Sequence, residues 1–393
     1  MQYREYGKLG YKVSALGMGC MRLPRIVKKN NEAEVDREKA FELIRYAVDH
    51  GINYFDTAYG YHQKASEEVL GEALDGGRRE KVKIATKQPF MIMANLDTGG
   101  GKTIHDNMRR NLERTLKKLR TSYIDVYLMH NISTATWDGV RENKVIEEYE
   151  KFRSEGLIRA IGFSYHGQFP CFREVLGFYD WDMCQVQQNL IDVDHEVTSE
   201  SITLAGKKGC ALAVMEPLRG GGLASPPKRM DALYAEFPGN RRPVEWAFRH
   251  VLNYPEVSVV LSGMTTMEQL KENIEIFSKD DSVPNCLGPK EKETIARIKT
   301  AFESVQNIPC TACEYCLPCP NGVDIPGIFG KYNEMHMFEF SDQPRRAYMI
   351  LKTFKRDFSR CASCGECEKK CPQHIGIMNE LKTAHEALEG WVE

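Results

Sequence analysis

From residue 13 to residue 278 short apolar runs alternate with amphipathic stretches. The runs at Ala15–Gly19, Asn53–Asp56, Lys83–Lys87, Ile124–Met129, Ala160–Ser164, Cys184–Gln187, Ala211–Met215 and Ser258–Leu261 predict strands. Between them, REKAFELIRYAVDH, HDNMRRNLERTLKKLR, KVIEEYEKFRSEG, PVEWAFRHVLN and MEQLKENIEIF space their apolar residues by three and four, the period of a helix with one buried face. Eight strands, each followed by a helix, over roughly 270 residues predict an α/β fold of the (β/α)8 TIM-barrel type. A doubly wound sheet uses the same alternation, but no G-x-G-x-x-G follows the first strand. The segment DTGGGKT resembles a phosphate loop, yet such a loop ending at Lys102 and Thr103 needs glycine where Leu96 stands; it reads as a turn before a helix.

Residues 309–372 break the pattern. Two cysteine-rich loops, CTACEYCLPCP at 310–320 and CASCGECEKKCP at 361–372, bracket DIPGIFGKYNEMHMFEF and DQPRRAYMILKTF, both of helical spacing. Of 13 cysteines, Cys20, Cys171, Cys184, Cys210 and Cys286 are scattered and read as small buried side chains. The others crowd between 310 and 371, and this shift near residue 305 predicts two domains, 1–305 and 306–393. A length of 393 residues suits one large domain plus a smaller one. A formal net charge of −2 argues against nucleic acid or an anionic membrane as partner. No apolar stretch approaches about eighteen residues, so no spanning helix is expected. The start, MQYREYGKLGYKV, is charged and lacks an apolar core. A cytoplasmic chain with reduced thiols is therefore expected, its cysteines in metal or redox use rather than in disulfides. Oligomeric state leaves no signal.

In a barrel of this kind chemistry sits on the loops after the carboxyl ends of the strands. Asp56 closes NYFD, Tyr61 follows in DTAYGYH, Lys87 closes KIATK and His130 closes DVYLMH. One such residue alone reads as a structural hydrogen-bonder; four from three consecutive strands point to one mouth. GINYFDTAYGYHQKASEEVLGEAL, KVKIATK, SYIDVYLMH and LIRAIGFS, in this order and spacing, resemble the aldo-keto reductases over residues 1–290. The resemblance implies a catalytic tetrad of Asp56, Tyr61, Lys87 and His130 acting on a small carbonyl/alcohol pair. The chemistry is consistent with it. A carbonyl that accepts hydride becomes an alkoxide and needs a proton, and a tyrosine with its ordinary pKa near ~10 is a weak donor unless an ammonium assists it. Asp56 would hold Lys87 charged, and His130 would hydrogen-bond the carbonyl oxygen.

The same resemblance implies NAD(H) or NADP(H) bound across the barrel mouth. Ser164 and Gln185 match positions that hold the carboxamide. The stretch EPLRGGGLAS, with Glu216, Leu218, Gly220 and Gly221, would bring backbone N–H groups to a pyrophosphate. After the eighth strand Glu272 and Asn273 match adenine-contacting positions. Two departures stand out. Where many NADPH-preferring members carry Lys and Arg for the 2′-phosphate, this chain has Gly263 and Gln269. That removes charge-assisted contacts of about 1.5–3 kcal/mol each. The usual Asn after Ser164 is Tyr165, followed by His166.

The cysteine runs C-x2-C-x2-C-x2-C-P (Cys310, Cys313, Cys316, Cys319) and C-x2-C-x2-C-x3-C-P (Cys361, Cys364, Cys367, Cys371) resemble a two-cluster bacterial ferredoxin. The likeness implies two [4Fe-4S] clusters, with the fourth cysteine of each run serving the other cluster. Cys310, Cys313, Cys316 and Cys371 then hold one, and Cys361, Cys364, Cys367 and Cys319 the other. Zinc is the competing metal, but its knots separate two cysteine pairs by an intervening segment. The helical material between the runs implies an α-helical ferredoxin-like domain, and the whole chain resembles the ferredoxin-fused aldo-keto reductases.

A hydride carries two electrons together, whereas a [4Fe-4S] cluster takes one, and a flavin can divide the pair. An oxidoreductase whose clusters exchange electrons with a ferredoxin- or flavodoxin-type carrier, through a bound flavin if one is present, is the leading reading. An NAD(P)H-dependent reductase with structural clusters, and a non-catalytic electron-transfer or docking module, are the alternatives.

Overall fold

The protein is described here by a computed structural model, which covers residues 1–27, 33–90, 103–193, 198–237, 241–310, 312, 314–339 and 342–390. Eight strands form a closed, wholly parallel barrel: β1 (Leu16–Gly19), β2 (Tyr54–Asp56), β3 (Lys83–Pro89), β4 (Ile124–Ile132), β5 (Ile158–Tyr165), β6 (Met183–Gln187), β7 (Ala211–Met215) and β8 (Val257–Ser262). Each predicted strand is present, and β8 closes on β1 through the register Val260 to Leu16. Helices follow the strands, beginning with Arg37–Asp49, Ser66–Ala73 and Ile104–Lys118 and ending with Met267–Ser278. Their starts carry the expected side-chain caps: Asp36 accepts from Lys39 N, and Thr103 and Thr266 close reciprocal capping boxes. Most of DTGGGKT lies outside the described residues.

Side chains two apart along a strand share a face. The buried interior holds Tyr54, Ala85, Val126, Leu128, Ala160, Met183, Ala211, Ala213, Val259 and Leu261. Stepping on by two from these apolar positions reaches Asp56, Lys87, His130 and Gln185, and by four from Ala160 reaches Ser164. Strand period alone therefore lifts the polar candidates into one layer above an apolar floor. The opposite end is closed by an antiparallel pair, Tyr3–Glu5 with Lys12–Ser14; Val13 within it and Tyr6 just after its first strand join the same interior. The sequence pattern did not predict this plug, because three-residue strands are too short to show a period.

The chain divides into two compact units, 1–223 with 244–289, and 224–243 with 290–393. The second unit is helical among its described residues, with Ile325–Phe338, Asp342–Thr353 and Ile377–Glu389 as its main elements. Its core gathers Ile308, Val323, Ile328, Phe329, Tyr348 and Leu381, and six of the run cysteines pack against it. The excursion 224–243 is tied into this unit by ion pairs from Arg229 to Glu339, Arg241 to Glu291 and Arg297 to Glu236. No helix of the described residues is long and apolar enough to cross a membrane.

Candidate active site and cysteine cages

At the carboxyl end of the barrel the Lys87 ammonium sits at the centre of a short chain of contacts. Its Nζ donates to Asp56 Oδ1 at 2.6 Å, to the Thr57 carbonyl at 2.9 Å and to the Tyr61 hydroxyl at 3.3 Å. Asp56 and Lys87 are almost wholly buried, at 3% and 1% exposure, so the pair is shielded from water and held in one geometry. Tyr61 lies on the short turn after β2, and the His130 ring stands edge-on to it, centroids 6.3 Å apart. The four predicted residues thus meet at one place. Thr57 is a partner that sequence could not reveal, since it acts through its backbone carbonyl.

The charges follow from this geometry. Burial works against the Lys87 ammonium, yet Asp56 and Tyr61 outweigh it and hold the pKa above the ordinary lysine value. Burial raises the Asp56 carboxyl, with Lys87 pulling the other way. Burial also raises the Tyr61 phenol, and the opposing pull of Lys87 does not overcome it. The expected lowering of the phenol by its ammonium neighbour is therefore present as a contribution and outweighed by desolvation. His130 is brought down to about 3 by burial, then by Lys87 and His166.

A histidine held this low is neutral across the working range and offers an N–H without competing as an acid. His130→Gln is accordingly expected to reduce turnover without removing any ionisation between about pH 5 and 8 from the rate profile. A pH–rate limb in that window that disappears in the variant would contradict it. The same shift bears on stability. Below its unfolded pKa of about 6.5 the unfolded chain takes up a proton that the folded chain refuses, so His130 costs stability as the pH falls toward 3.

Around the tetrad, Ser164 Oγ accepts from Asn131 N at 2.9 Å, leaving its own proton to donate. Gln185 is 2% exposed and its Oε1 has no hydrogen-bond partner among the described residues. A donor and an orphaned acceptor side by side on β5 and β6 fit a carboxamide, which needs one of each. Tyr165 points away from the lumen. Its ring packs against Phe163 and Phe172, and its hydroxyl donates to Gln168 O at 2.6 Å.

The loop after β7 is more committed than its glycines suggest. Glu216 has φ of 55°, and its carboxylate accepts from Gly220 N at 2.7 Å. Gly221 N donates to Leu218 O, and Gly222 N to Arg219 O. In this form the amides expected at a pyrophosphate are used within the loop, so seating one there requires their release. Asn189 and Asp192, after β6, brace the loop: Asn189 Nδ2 donates to Glu216 O and Arg219 pairs with Asp192.

After β8, Gln269 Oε1 accepts from Thr265 N and Thr266 N, so this side chain serves the helix cap. Asn273 is buried and donates to Ser262 Oγ at 3.0 Å, while Glu272 stands beside it on the same helix. A side chain on Gly263 would meet the Arg22 stem at 3.1–3.3 Å. A cation from the segment after β1 thus lies beside Gly263.

In the helical unit the cysteines sort around two recesses. One is lined by Cys310, Cys316 and Cys371 with Ile325, Pro326 and Phe329. The other is lined by Cys319, Cys361, Cys364 and Cys367, and Cys316 lines both. Cys313 lies outside the described residues. The first run therefore sends its fourth cysteine to the recess of the second, and the second run sends Cys371 to the recess of the first. Among the described residues no three His, Cys, Asp or Glu side chains converge on a single point as one metal ion requires.

Residues 15–284 match the aldo/keto reductase family, and residues 309–375 match a 4Fe-4S dicluster domain. The chain is 31% identical over 246 residues to the oxidoreductase YrpG of Bacillus subtilis, a span of 56% of this chain and 68% of that protein. It is 25% identical over 338 residues to the L-galactose dehydrogenase of Arabidopsis thaliana, covering 78% of this chain and 96% of that one. An aldo-keto reductase of Bacillus halodurans, solved in its holo form, superposes with a TM-score of 0.62 at 26% identity, over 76% of this chain and 96% of the other.

Proposed function

Since the chain belongs to the aldo/keto reductase family and carries a 4Fe-4S dicluster domain, we propose that it interconverts a small carbonyl compound and its alcohol at the barrel mouth. In this reading Tyr61 is the proton donor, and the clusters of residues 306–393 exchange electrons with an external carrier. The observation that carries it is the buried Asp56–Lys87 pair with the Tyr61 hydroxyl against it and His130 beside it.

A nicotinamide, when bound, supplies hydride to the carbonyl carbon. The protein does the rest. Ser164 and Gln185 orient the carboxamide, while Glu272 and Asn273 mark the adenine end. Tyr61 gives its hydroxyl proton to the carbonyl oxygen as negative charge grows there. Lys87 stabilises the phenolate left behind, and Asp56 keeps Lys87 charged and aimed. Neutral His130 donates a hydrogen bond to the same oxygen. Arg22, beside Gly263, is the cation placed to meet a 2′-phosphate, which keeps NADP(H) as well as NAD(H) within reach.

The two recesses fit iron–sulfur clusters by donor chemistry. Each is lined by several thiols, drawn from runs whose three cysteines at C-x2-C-x2-C spacing suit a cubane. Cys310, Cys313, Cys316 and Cys371 would hold one, and Cys319, Cys361, Cys364 and Cys367 the other. Such clusters supply one-electron storage, so a flavin at the barrel is the cofactor that would connect them to two-electron chemistry.

The test is anaerobic purification with iron, sulfide and flavin analysis. About eight iron and eight sulfide per chain are expected. Adding NADH or NADPH should then bleach the visible cluster absorbance and give a reduced-cluster EPR signal. Clusters that dithionite reduces but neither nicotinamide reduces would sink the electron relay and leave them a structural role.

A further inference from the structure

The helix Asp342–Thr353 buries one side and leaves the other unusually apolar. Pro344 and Tyr348 face inward, and the Tyr348 hydroxyl meets His385 Nδ1 at 2.6 Å. Arg345 donates to Ala387 O at 3.1 Å, and Lys352 pairs with Glu389, so the packed side lies on helix Ile377–Glu389. Residues 346, 349, 350 and 353 form the outward stripe, where a solvated helix carries polar groups. Instead Met349 is 49% and Ile350 58% exposed, and Phe354, just past the helix, is 70% exposed.

Cations rim these apolar residues. Arg346, Lys355 and Arg360 are exposed and pair with no carboxylate among the described residues. Across 342–370 there are eight Lys/Arg against four Asp/Glu, a local charge of +4 in a chain whose total is −2. The stretch runs straight into Cys361, and Cys364, from the same recess, is itself exposed. An apolar centre with a charged rim is the anatomy of a transient protein interface, and the sign of the rim selects the partner.

We propose that Met349, Ile350 and Phe354, with Arg346, Lys355 and Arg360, form the docking face for a small acidic protein that carries a one-electron centre. The proposal rests on the iron–sulfur reading above and names its partner. One electron would pass from the carrier's reduced centre to the cluster that Cys319, Cys361, Cys364 and Cys367 would hold. No bond or proton changes hands, and the carrier is the reductant. Two of the three apolar residues, Met349 and Ile350, are aliphatic rather than stacking platforms for bases, which favours a protein over nucleic acid.

The experiment uses the anaerobic full-length protein and a reduced, acidic bacterial ferredoxin as probe, reading both binding and stopped-flow cluster reduction. Wild-type affinity should fall steeply with salt. Arg346→Glu/Lys355→Glu and Phe354→Ser should each weaken binding by about tenfold or more and slow reduction in step, while dithionite reduces every variant alike. Lys382→Glu, an exposed cation on another helix, should change binding less than about twofold. Variants that bind the ferredoxin as wild type does would overturn the docking face. So would intact, dithionite-reducible clusters in a wild-type chain that binds no ferredoxin, or a self-association that the same substitutions abolish. A chain without iron–sulfur absorbance would overturn the reading beneath, and the proposal with it.

Discussion

Tyr61→Phe is expected to lower the rate of carbonyl reduction by about 10²- to 10⁴-fold, the range that a placed proton donor contributes. The substitution deletes one oxygen, the atom 3.3 Å from Lys87 Nζ, and keeps the ring that stands edge-on to His130. Substrate and cofactor contacts elsewhere are untouched, so the loss should fall on kcat, with KM nearly unchanged. The pH dependence provides a second check. Burial holds the phenol above its ordinary pKa, so it stays protonated through neutral pH and reduction should remain flat there. Reduction should decline only in the strongly alkaline range, where alcohol oxidation, which needs the phenolate as base, should rise. Steady-state kinetics on a panel of small aldehydes and ketones, with thermal unfolding as a fold control, measures both. A variant with undiminished kcat would remove Tyr61 from the chemistry.

Much of this site is legible in the chain because strand geometry is local. Once Tyr54, Ala85, Leu128 and Met183 are taken as interior, the residues two further on must share their face, and these are Asp56, Lys87, His130 and Gln185. What escapes the sequence is set by distant partners. Tyr3–Glu5 and Lys12–Ser14 are strands because they pair with each other and Tyr6 fills the barrel floor, not through any period of their own. The glycines at 220–222 suggest free amides, and only folding shows Glu216 claiming one of them. Gln269, expected at the cofactor from the resemblance alone, caps its helix, because Thr266 three residues earlier completes a reciprocal pair. Residues 224–243 follow a barrel strand in sequence but belong to the helical unit, a fact carried by long-range ion pairs such as Arg229 with Glu339. The cysteine runs are the reverse case. Their spacing is dictated by what they hold, so it is readable without any knowledge of the packing.

Removing iron should cost the helical unit far more than a side-chain deletion costs the barrel. Six of the run cysteines pack directly against its apolar core. Stripping the clusters leaves thiols around two emptied recesses, with the core residue Ile325 lining both. A unit whose core is flanked by its metal-binding thiols depends on what those thiols hold, and structural metal sites contribute on the order of 10 kcal/mol to the folding of small zinc-binding peptides. Chelation under mild oxidation is therefore expected to melt Ile325–Phe338, Asp342–Thr353 and Ile377–Glu389 together, with proteolytic cuts appearing throughout 306–390. The barrel has its own interior, sealed by Tyr6 and Val13, and should keep its cooperative transition. Circular dichroism and limited proteolysis of the full chain before and after chelation separate the two units. A helical unit that stays folded and protease-resistant without iron would mean that its core suffices and that the cysteines serve electron transfer alone. Cross-recruitment sharpens the prediction. Because Cys319 and Cys371 each serve the recess of the other run, replacing either by Ser should disturb the cluster bound mainly by the opposite loop, which iron content and EPR of the single variants would resolve.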